Sequence, residues 1–363
     1  MNFTKKYFYL FFIVFSISSC SKSSDSTNTT PTPVIPVVKV LEIKGVDVSY
    51  LPEIRQSSYI FYNANGQPED ILTTLKNAGV NVLRLRLWHN TTDPSSNFIA
   101  VKNLCAEIKS IGLKTLLSVH YSDSWADPGK QTKPMLWQSL NFTQLQDSVY
   151  SYTKKIMQEI NPDYIQIGNE INGGLLWPEG STTNLSQMKL LLQKGIKAVR
   201  ETNTNTKIII HHAGFANATF FYNSITDINF DIIGISYYPI WHGKDLNALQ
   251  QTLTTLSDNL NKKIFIAETS YPFTHSWNDW TNNIIGSDAQ ILPQYAASTI
   301  GQKEFLNKLK SIVTDMPKGI GFCYWGGEWV SFKGSQATNG SSWENQALWN
   351  FSNYALPALD AYK

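Results

Sequence analysis

Residues 163–170 read Asp163-Tyr164-Ile165-Gln166-Ile167-Gly168-Asn169-Glu170. The apolar run of Tyr164, Ile165 and Ile167 has the character of a short strand, and Gly168, Asn169 and Glu170 do not prolong a buried one. A carboxylate placed where an apolar strand runs out sits at the rim of a sheet or barrel. A second stretch repeats the pattern: Lys263-Ile264-Phe265-Ile266-Ala267-Glu268 is again an apolar run ended by glutamate.

Working outward from these two runs, the chain alternates strand and helix. Strands are expected at 44–49, 81–88, 113–120, 163–170, 207–211, 231–237, 263–268 and 319–325. Helices are expected at 68–77, with Pro68 near the first turn, at 98–111, ended by Gly112, and at 142–160, stopping before Pro162. Three more are expected at 185–201, 246–260 and 301–313. Eight strands alternating with helices over roughly 290 residues predict an α/β fold, a (β/α)8 TIM barrel in a single domain. The strands are nearly continuous apolar runs, as expected when both faces are covered. No Gly-x-Gly-x-x-Gly turn follows the first strand, which argues against a nucleotide-binding open sheet.

The chain has 363 residues, 42% hydrophobic and 16% charged, which suits a globular domain of this size. A formal net charge of +2 offers no basic patch for nucleic acid. Lys5 and Lys6 precede a short apolar run, Tyr7 to Phe15, closed by Ile17-Ser18-Ser19-Cys20. That arrangement resembles a bacterial lipobox. Residues 1–19 are therefore expected to be a lipoprotein signal peptide, and residues 20–40 a disordered tether with Cys20 lipidated. Residues 41–363 form the expected barrel domain. The protein would then be exported and held on a bacterial envelope, at the outer membrane or cell surface, touching membrane only through its lipid. Cys105 and Cys323 are expected to be buried free thiols.

In a barrel of this kind the site lies at the C-terminal ends of the strands. Those ends carry Asp47, Arg86, His89, His120, Asn169, Glu170, His211, His212, Tyr237, Tyr238, Glu268 and Trp325. Two glutamates on separate strands match the needs of double-displacement glycoside cleavage, where one carboxyl arrives protonated and the other attacks as an anion. Glu170 would protonate the leaving group and Glu268 would be the nucleophile. Arg86 is expected to keep Glu268 ionised, Tyr237 or Tyr238 to orient it, and Asn169 to bond a sugar hydroxyl. Of the neighbours His211 and His212 only one can point inward, the other packing under a helix. Eleven Trp and seventeen Tyr are many for this length and suit sugar faces, although they also fill cores. Trp343 and Trp349 are read as packing.

The longer motifs are more specific. Gly45-Val46-Asp47-Val48-Ser49, Arg84-Leu85-Arg86-Leu87-Trp88 and the block His120-Tyr121-Ser122-Asp123-Ser124-Trp125-Ala126-Asp127-Pro128-Gly129-Lys130-Gln131 resemble glycoside hydrolase family 53. So do Gln166 to Glu170, Gly234 to Pro239, Trp241-His242-Gly243 and Ala267 to Pro272. The family belongs to clan A of the retaining glycosidases and consists of arabinogalactan endo-β-1,4-galactanases, which cut galactan, including pectin side chains. The resemblance implies Glu170 as acid/base, Glu268 as nucleophile and Trp325 as floor of the subsite holding the cleaved sugar. It implies Asp47, Arg86, His120, Asp123, Trp125, Asn169, Tyr238, Trp241 and His242 as substrate contacts, although the residues alone allow Asp47 equally to brace the barrel mouth. Many members read Tyr-Trp-Glu after the eighth strand; here Glu328 is shifted by two glycines. Some members hold calcium in the loop after the seventh strand. Here residues 275–283 offer one carboxylate before Asp288, thin for a hard cation, so no metal is predicted and no cofactor is expected. Trp277 and Trp280 of that loop could instead extend the glycan platform.

Three rivals remain on the residues alone. The same barrel could cut another β-glycan, such as mannan or glucan. A metal-dependent hydrolase is suggested by His89, His120 and His212, although the first strand lacks the usual ligand cluster. A surface lipoprotein could bind glycan without cutting it.

Overall fold

The computed structural model describes Lys39–Lys363. Cys20, the signal peptide and all but the end of the tether lie outside the described residues. Strands β1 (Ile43–Asp47), β2 (Val82–Leu87), β3 (Lys114–Val119), β4 (Tyr164–Ile167), β5 (Lys207–Ala213), β6 (Ile232–Ser236), β7 (Lys263–Thr269) and β8 (Gly319–Tyr324) close into a parallel barrel in sequence order. Every neighbouring pair is parallel, and β1 closes on β8 through Gly45↔Cys323 and Val46↔Tyr324. The expected (β/α)8 barrel is what the chain forms.

Helices α1 (Leu51–Ile54), α2 (Ile71–Ala78), α3 (Phe98–Ser110), α4 (Phe142–Glu159), α5 (Leu185–Thr202), α6 (Ala218–Ser224), α7 (Pro239–His242), α8 (Leu246–Leu260) and α9 (Thr299–Asp315) connect the strands. In α8 the side chain of Asp245 caps the first turn, and Leu246, Leu249, Leu253 and Leu256 recur every three or four residues on the buried face. In α4 a reciprocal Asn141–Gln144 capping box fixes the start. Helix α2 starts three residues later than Pro68 suggests, because Asp70 accepts from Leu72 N and caps there, while Pro68 pairs with Tyr62 in a bridge. The short helices α1, α6 and α7 are not foreseen from sequence.

Two apolar layers follow from strand alternation. Val82, Leu116, Tyr164, Ile209, Ile232 and Phe265 point inward and fill the lower barrel. Their neighbours Leu83, Leu117, Ile165, Ile210, Ile233 and Ile266 point outward and pack under the helices. Two residues further along the inward face come Arg84 on β2, Ser118 on β3, Gln166 on β4 and His211 on β5. The interior therefore turns from hydrocarbon to charge at mid-height. Cys105 and Cys323 are buried free thiols.

Candidate active site

The polar layer opens into a cleft of ≈ 590 Å³ at the C-terminal end of the strands. Its floor holds Arg84, Asn169, Glu170, Tyr238 and Glu268, and its walls include Trp125, Trp241, Trp325, Trp329 and Trp343.

Local backbone geometry presents both glutamates. Strand β4 stops at Ile167; Gly168 then adopts φ +88°, where a Cβ would meet Ile171 Cγ2 at 2.5 Å. Glu170 itself sits at φ +46°, in the left-handed region that costs a non-glycine residue free energy and is found at functional positions. On β7, strict alternation from Phe265 and Ala267 would aim Glu268 outward. A bulge against β6, where Ile235 pairs with Ile266 but Ser236 with Glu268, inserts one residue and returns Glu268 to the interior.

One oxygen of Glu170 and one of Glu268 lie within 4.8 Å of each other. Their surroundings differ. Glu268 Oε1 accepts from Arg84 Nη2 at 2.5 Å and Oε2 from the Tyr238 hydroxyl at 3.0 Å, so both oxygens are held. Glu170 Oε1 accepts from Ser236 Oγ at 2.5 Å, while Oε2 has no partner among the described residues and opens to the cleft. Burial and the neighbouring Glu268 charge push the Glu170 carboxyl up to about 8. Burial also raises Glu268, but the Arg84 cation and two donated hydrogen bonds oppose it. A single negative charge shared by the pair therefore rests on Glu268 and the proton on Glu170.

The structure corrects the role given to Arg86. The cation on Glu268 is Arg84, whose Nη1 also meets Asp47 Oδ2 at 2.6 Å and whose Nε meets Gln166 at 2.9 Å. Burial works against the Arg84 charge; Glu268 and Asp47 more than reverse this. Arg86 lies one layer higher, with its guanidinium 4.1 Å from the Trp125 ring centre and 4.6 Å from that of Tyr50. It lines the cleft as a stacked cation.

Asp47 and Asp123, expected to touch substrate, do not line the cleft. Asp47 is 1% exposed beneath Arg84. Asp123 receives Asn90 N at 2.9 Å and Met135 N at 2.7 Å, tying two loops together. Trp343 corrects the opposite way: it is not mere packing, but lies 4.7 Å from Trp325, nearly perpendicular to it, and lines the cleft. His120, Trp125, Asn169, Tyr238, Trp241, His242 and Trp325 all face the cleft. Asn169 gives Nδ2 to Ala126 O at 2.9 Å and receives Arg84 and Ser118 on Oδ1. His242 accepts from Tyr238 N at 3.0 Å, and burial pushes its imidazole down to about 4. Trp241 is 54% exposed at the rim. Tyr237 bonds Gly243 O, so Tyr238 is the tyrosine on Glu268. His211 points inward while His212 packs against Phe221 of α6. Trp349 is fully buried packing.

Glu328 is fully buried and accepts from Tyr50 N at 2.7 Å, which seats Tyr50 face to face on Trp329 at 4.0 Å. In the loop after β7, Asp279 is occupied by Thr281 N and Ser341 N, and Asp288 pairs with His275. His89, His120 and His212 are not brought together. The grouping of Glu170, His211 and Glu268 lies against the Arg84 guanidinium, which opposes a second cation there.

Residues 43–362 match the sequence profile of "Glycosyl hydrolase family 53". The solved GH53 catalytic domain of Ignisphaera aggregans is 38% identical, with a TM-score of 0.85, over 91% of this chain and 97% of that one. An arabinogalactan endo-β-1,4-galactanase of Cellvibrio japonicus is 33% identical over 88% of this chain and 90% of its own. An endo-β-1,4-galactanase of Bacillus subtilis is 32% identical over 88% and 85%. With that profile spanning the barrel and both glutamates at its mouth, the chain belongs to glycosyl hydrolase family 53.

Proposed function

We propose that the protein is a retaining endo-β-1,4-galactanase acting on galactan and arabinogalactan. The observation that carries this is the approach of Glu170 and Glu268 to within 4.8 Å. Retaining enzymes space their carboxyls at about 5–5.5 Å and inverting ones at about 6.5–9.5 Å, where a water must fit between. The galactan specificity rests on family membership and on the galactanase relatives.

In the first step Glu268 attacks the anomeric carbon while Glu170 gives its proton to the leaving glycosidic oxygen. Arg84 and Tyr238 hold Glu268 ionised and aimed. In the second step Glu170, now a carboxylate, takes a proton from water as that water displaces Glu268 from the sugar. The free hydrogen on Asn169 Nδ2 is placed to bond a sugar hydroxyl, and Trp325 to lie under the ring being cleaved. The indole walls present apolar faces to the C–H faces of the chain, which suits a polysaccharide running along an open cleft.

The protein is further proposed to be exported and anchored through a lipid on Cys20, on the strength of residues 5–20 alone. Palmitate labelling that Cys20→Ala removes would support this; unlabelled wild type would end it. The catalytic reading is tested by product analysis on linear β-1,4-galactan with the anomeric configuration followed by NMR. Galacto-oligosaccharides appearing first as the β anomer are expected. Release of the α anomer, or release from mannan or glucan only, would overturn it.

A further inference from the structure

The free and the bound oxygen of Glu170 are distinguished by two residues that carry no role in the reading above. Ser236, the last residue of β6, has its Oγ 2.5 Å from Glu170 Oε1. His211 of β5 has its Nε2 2.8 Å from the same Oγ. The other ring nitrogen, Nδ1, lies 3.4 Å from Glu170 N and 3.2 Å from Asn169 Oδ1. All four residues meet inside the barrel, and both His211 and Ser236 are fully buried.

A neutral imidazole carries one hydrogen, so two arrangements compete. If Nδ1 carries it, Nδ1 donates to Asn169 Oδ1, Nε2 accepts from Ser236, and the hydrogen in the contact with Glu170 must be the carboxyl's own, held on Oε1 and away from the cleft. If Nε2 carries it, His211 donates to Ser236, Ser236 donates to Glu170 Oε1, and Nδ1 accepts from the Glu170 N–H. The surroundings decide. Asn169 Oδ1 already receives Arg84 at 3.0 Å and Ser118 at 3.1 Å, which fills its two lone pairs. The Glu170 N–H has no acceptor other than Nδ1 among the described residues, and a buried donor left unpaired is costly. The Nε2–H form gives every donor an acceptor and leaves Nδ1 beside Asn169 Oδ1 at 3.2 Å without a hydrogen between them; the other strands the Glu170 N–H and puts a third donor on Asn169 Oδ1.

We propose that His211 and Ser236 form a positioning relay that holds Oε1 of Glu170 as an acceptor and thereby confines the exchangeable proton of that glutamate to Oε2, the oxygen facing the cleft. The proposal rests on the acid/base role given to Glu170. In the first half-reaction the Oε2–H proton passes to the glycosidic oxygen as the bond from that oxygen to the anomeric carbon breaks and Glu268 bonds to the carbon. In the second, Oε2 takes the proton of the water whose oxygen displaces Glu268. The Ser236 hydrogen stays on Oγ, directed at Oε1, through both. Neither residue touches the sugar. Burial and the surrounding Arg84, His212, His120 and His242 hold His211 far below its ordinary value, so the ring stays neutral and able to play this part.

The groups that also act on Glu170 are Glu268 on β7, Arg84 on β2 and Asp127 in the loop after β3, and the test leaves them in place. In the 15N-labelled wild type the His211 ring nitrogens report the tautomer directly. Protonation at Nε2 is expected; protonation at Nδ1 overturns the relay, whether or not any variant folds. Ser236→Ala removes a donor that favours the ionised carboxylate. The alkaline limb of kcat/KM on galactan should then move up by about one pH unit, and kcat fall roughly tenfold. Ser236→Thr, which keeps a hydroxyl, should restore the limb. A folded Ser236→Ala enzyme with an unmoved limb overturns the relay. Glu170→Gln separates the two readings: full activity on galactan in that variant removes the acid/base assignment itself, while the tautomer measurement stands independently.

Discussion

Arg84 Nη2 donates to Glu268 Oε1 at 2.5 Å, with its Nη1 on Asp47 at 2.6 Å, so one guanidinium joins the nucleophile to the base of the polar layer. The pair is buried at the floor of the cleft, with side-chain exposure of 2% and 8%. Removing one partner of a buried pair leaves an uncompensated charge and costs about 3–5 kcal/mol. Arg84→Met is therefore expected to lower the melting temperature and to cut kcat by about 10²-fold or more, since Glu268 loses the cation that keeps it ionised. Arg86→Met should spare the ionisation of Glu268 and act mainly on KM. Melting curves and steady-state kinetics on galactan check both; an Arg86 variant with the larger kcat defect would reverse the assignment.

The proton on Glu170 sets the pH response. Its carboxyl is pushed up to about 8 by burial and by Glu268, so kcat/KM should fall as pH rises through about 8 while the acid is lost. Stability moves with the same group. A folded value above the unfolded one means that the stabilising protonated form is fully present below the unfolded pKa, about 4.3. That contribution is lost as pH rises to about 8. Glu170→Gln should thus gain in melting temperature over the wild type progressively between those values and hold the gain above them. A gain largest at acid pH would contradict the burial argument.

Gly168 carries the turn that presents the acid. At φ +88° a Cβ would lie 2.5 Å from Ile171 Cγ2, so Gly168→Ala faces both backbone strain and a clash. A loss of about 1–3 kcal/mol is expected. A fall in kcat beyond what partial unfolding explains is also expected, because Glu170 is two residues away. Activity measured well below the melting point separates the two.

Trp343 should behave as a substrate contact and Asp123 as a loop brace. Trp343→Ala is expected to raise KM on galactan by about tenfold, the cost of roughly 1.4 kcal/mol of lost contact with sugar. Asp123→Asn should leave KM within about twofold and lower stability by about 1–3 kcal/mol, as one backbone donor keeps only a neutral amide oxygen and the other is left facing an amide N–H. Isothermal titration of Glu170→Gln carrying each change would measure the binding part alone.

How much of this is legible in sequence depends on the range of the interaction. The eight strands can be read from local apolar runs, and both glutamates from the abrupt end of two of them. Alternation places Arg84 and Arg86 on one face of β2 but cannot say which stands level with β7; only the stagger around the closed barrel decides that. The inward aim of Glu268 depends on the bulge against Ser236, a pairing between strands that no single run records. Helix α7, four residues long, is too short for periodicity, yet it carries Trp241 and His242. Trp343 is unreadable for a similar reason: it stands in an irregular segment whose course is set by contacts such as Ser342 O with Ile284 N at 3.0 Å.

The indoles of Trp325, Trp329 and Trp343 all follow β8, whereas both glutamates, Arg84 and Tyr238 precede it. A growing chain thus acquires its reactive groups long before it can grip a polymer. A full-length chain with Trp329 and Trp343 changed to Ala would keep the proton-transfer apparatus yet have one side of its trough bare. Small activated galactosides, which need little grip, and long polysaccharide, which needs much, should consequently part company in such a variant.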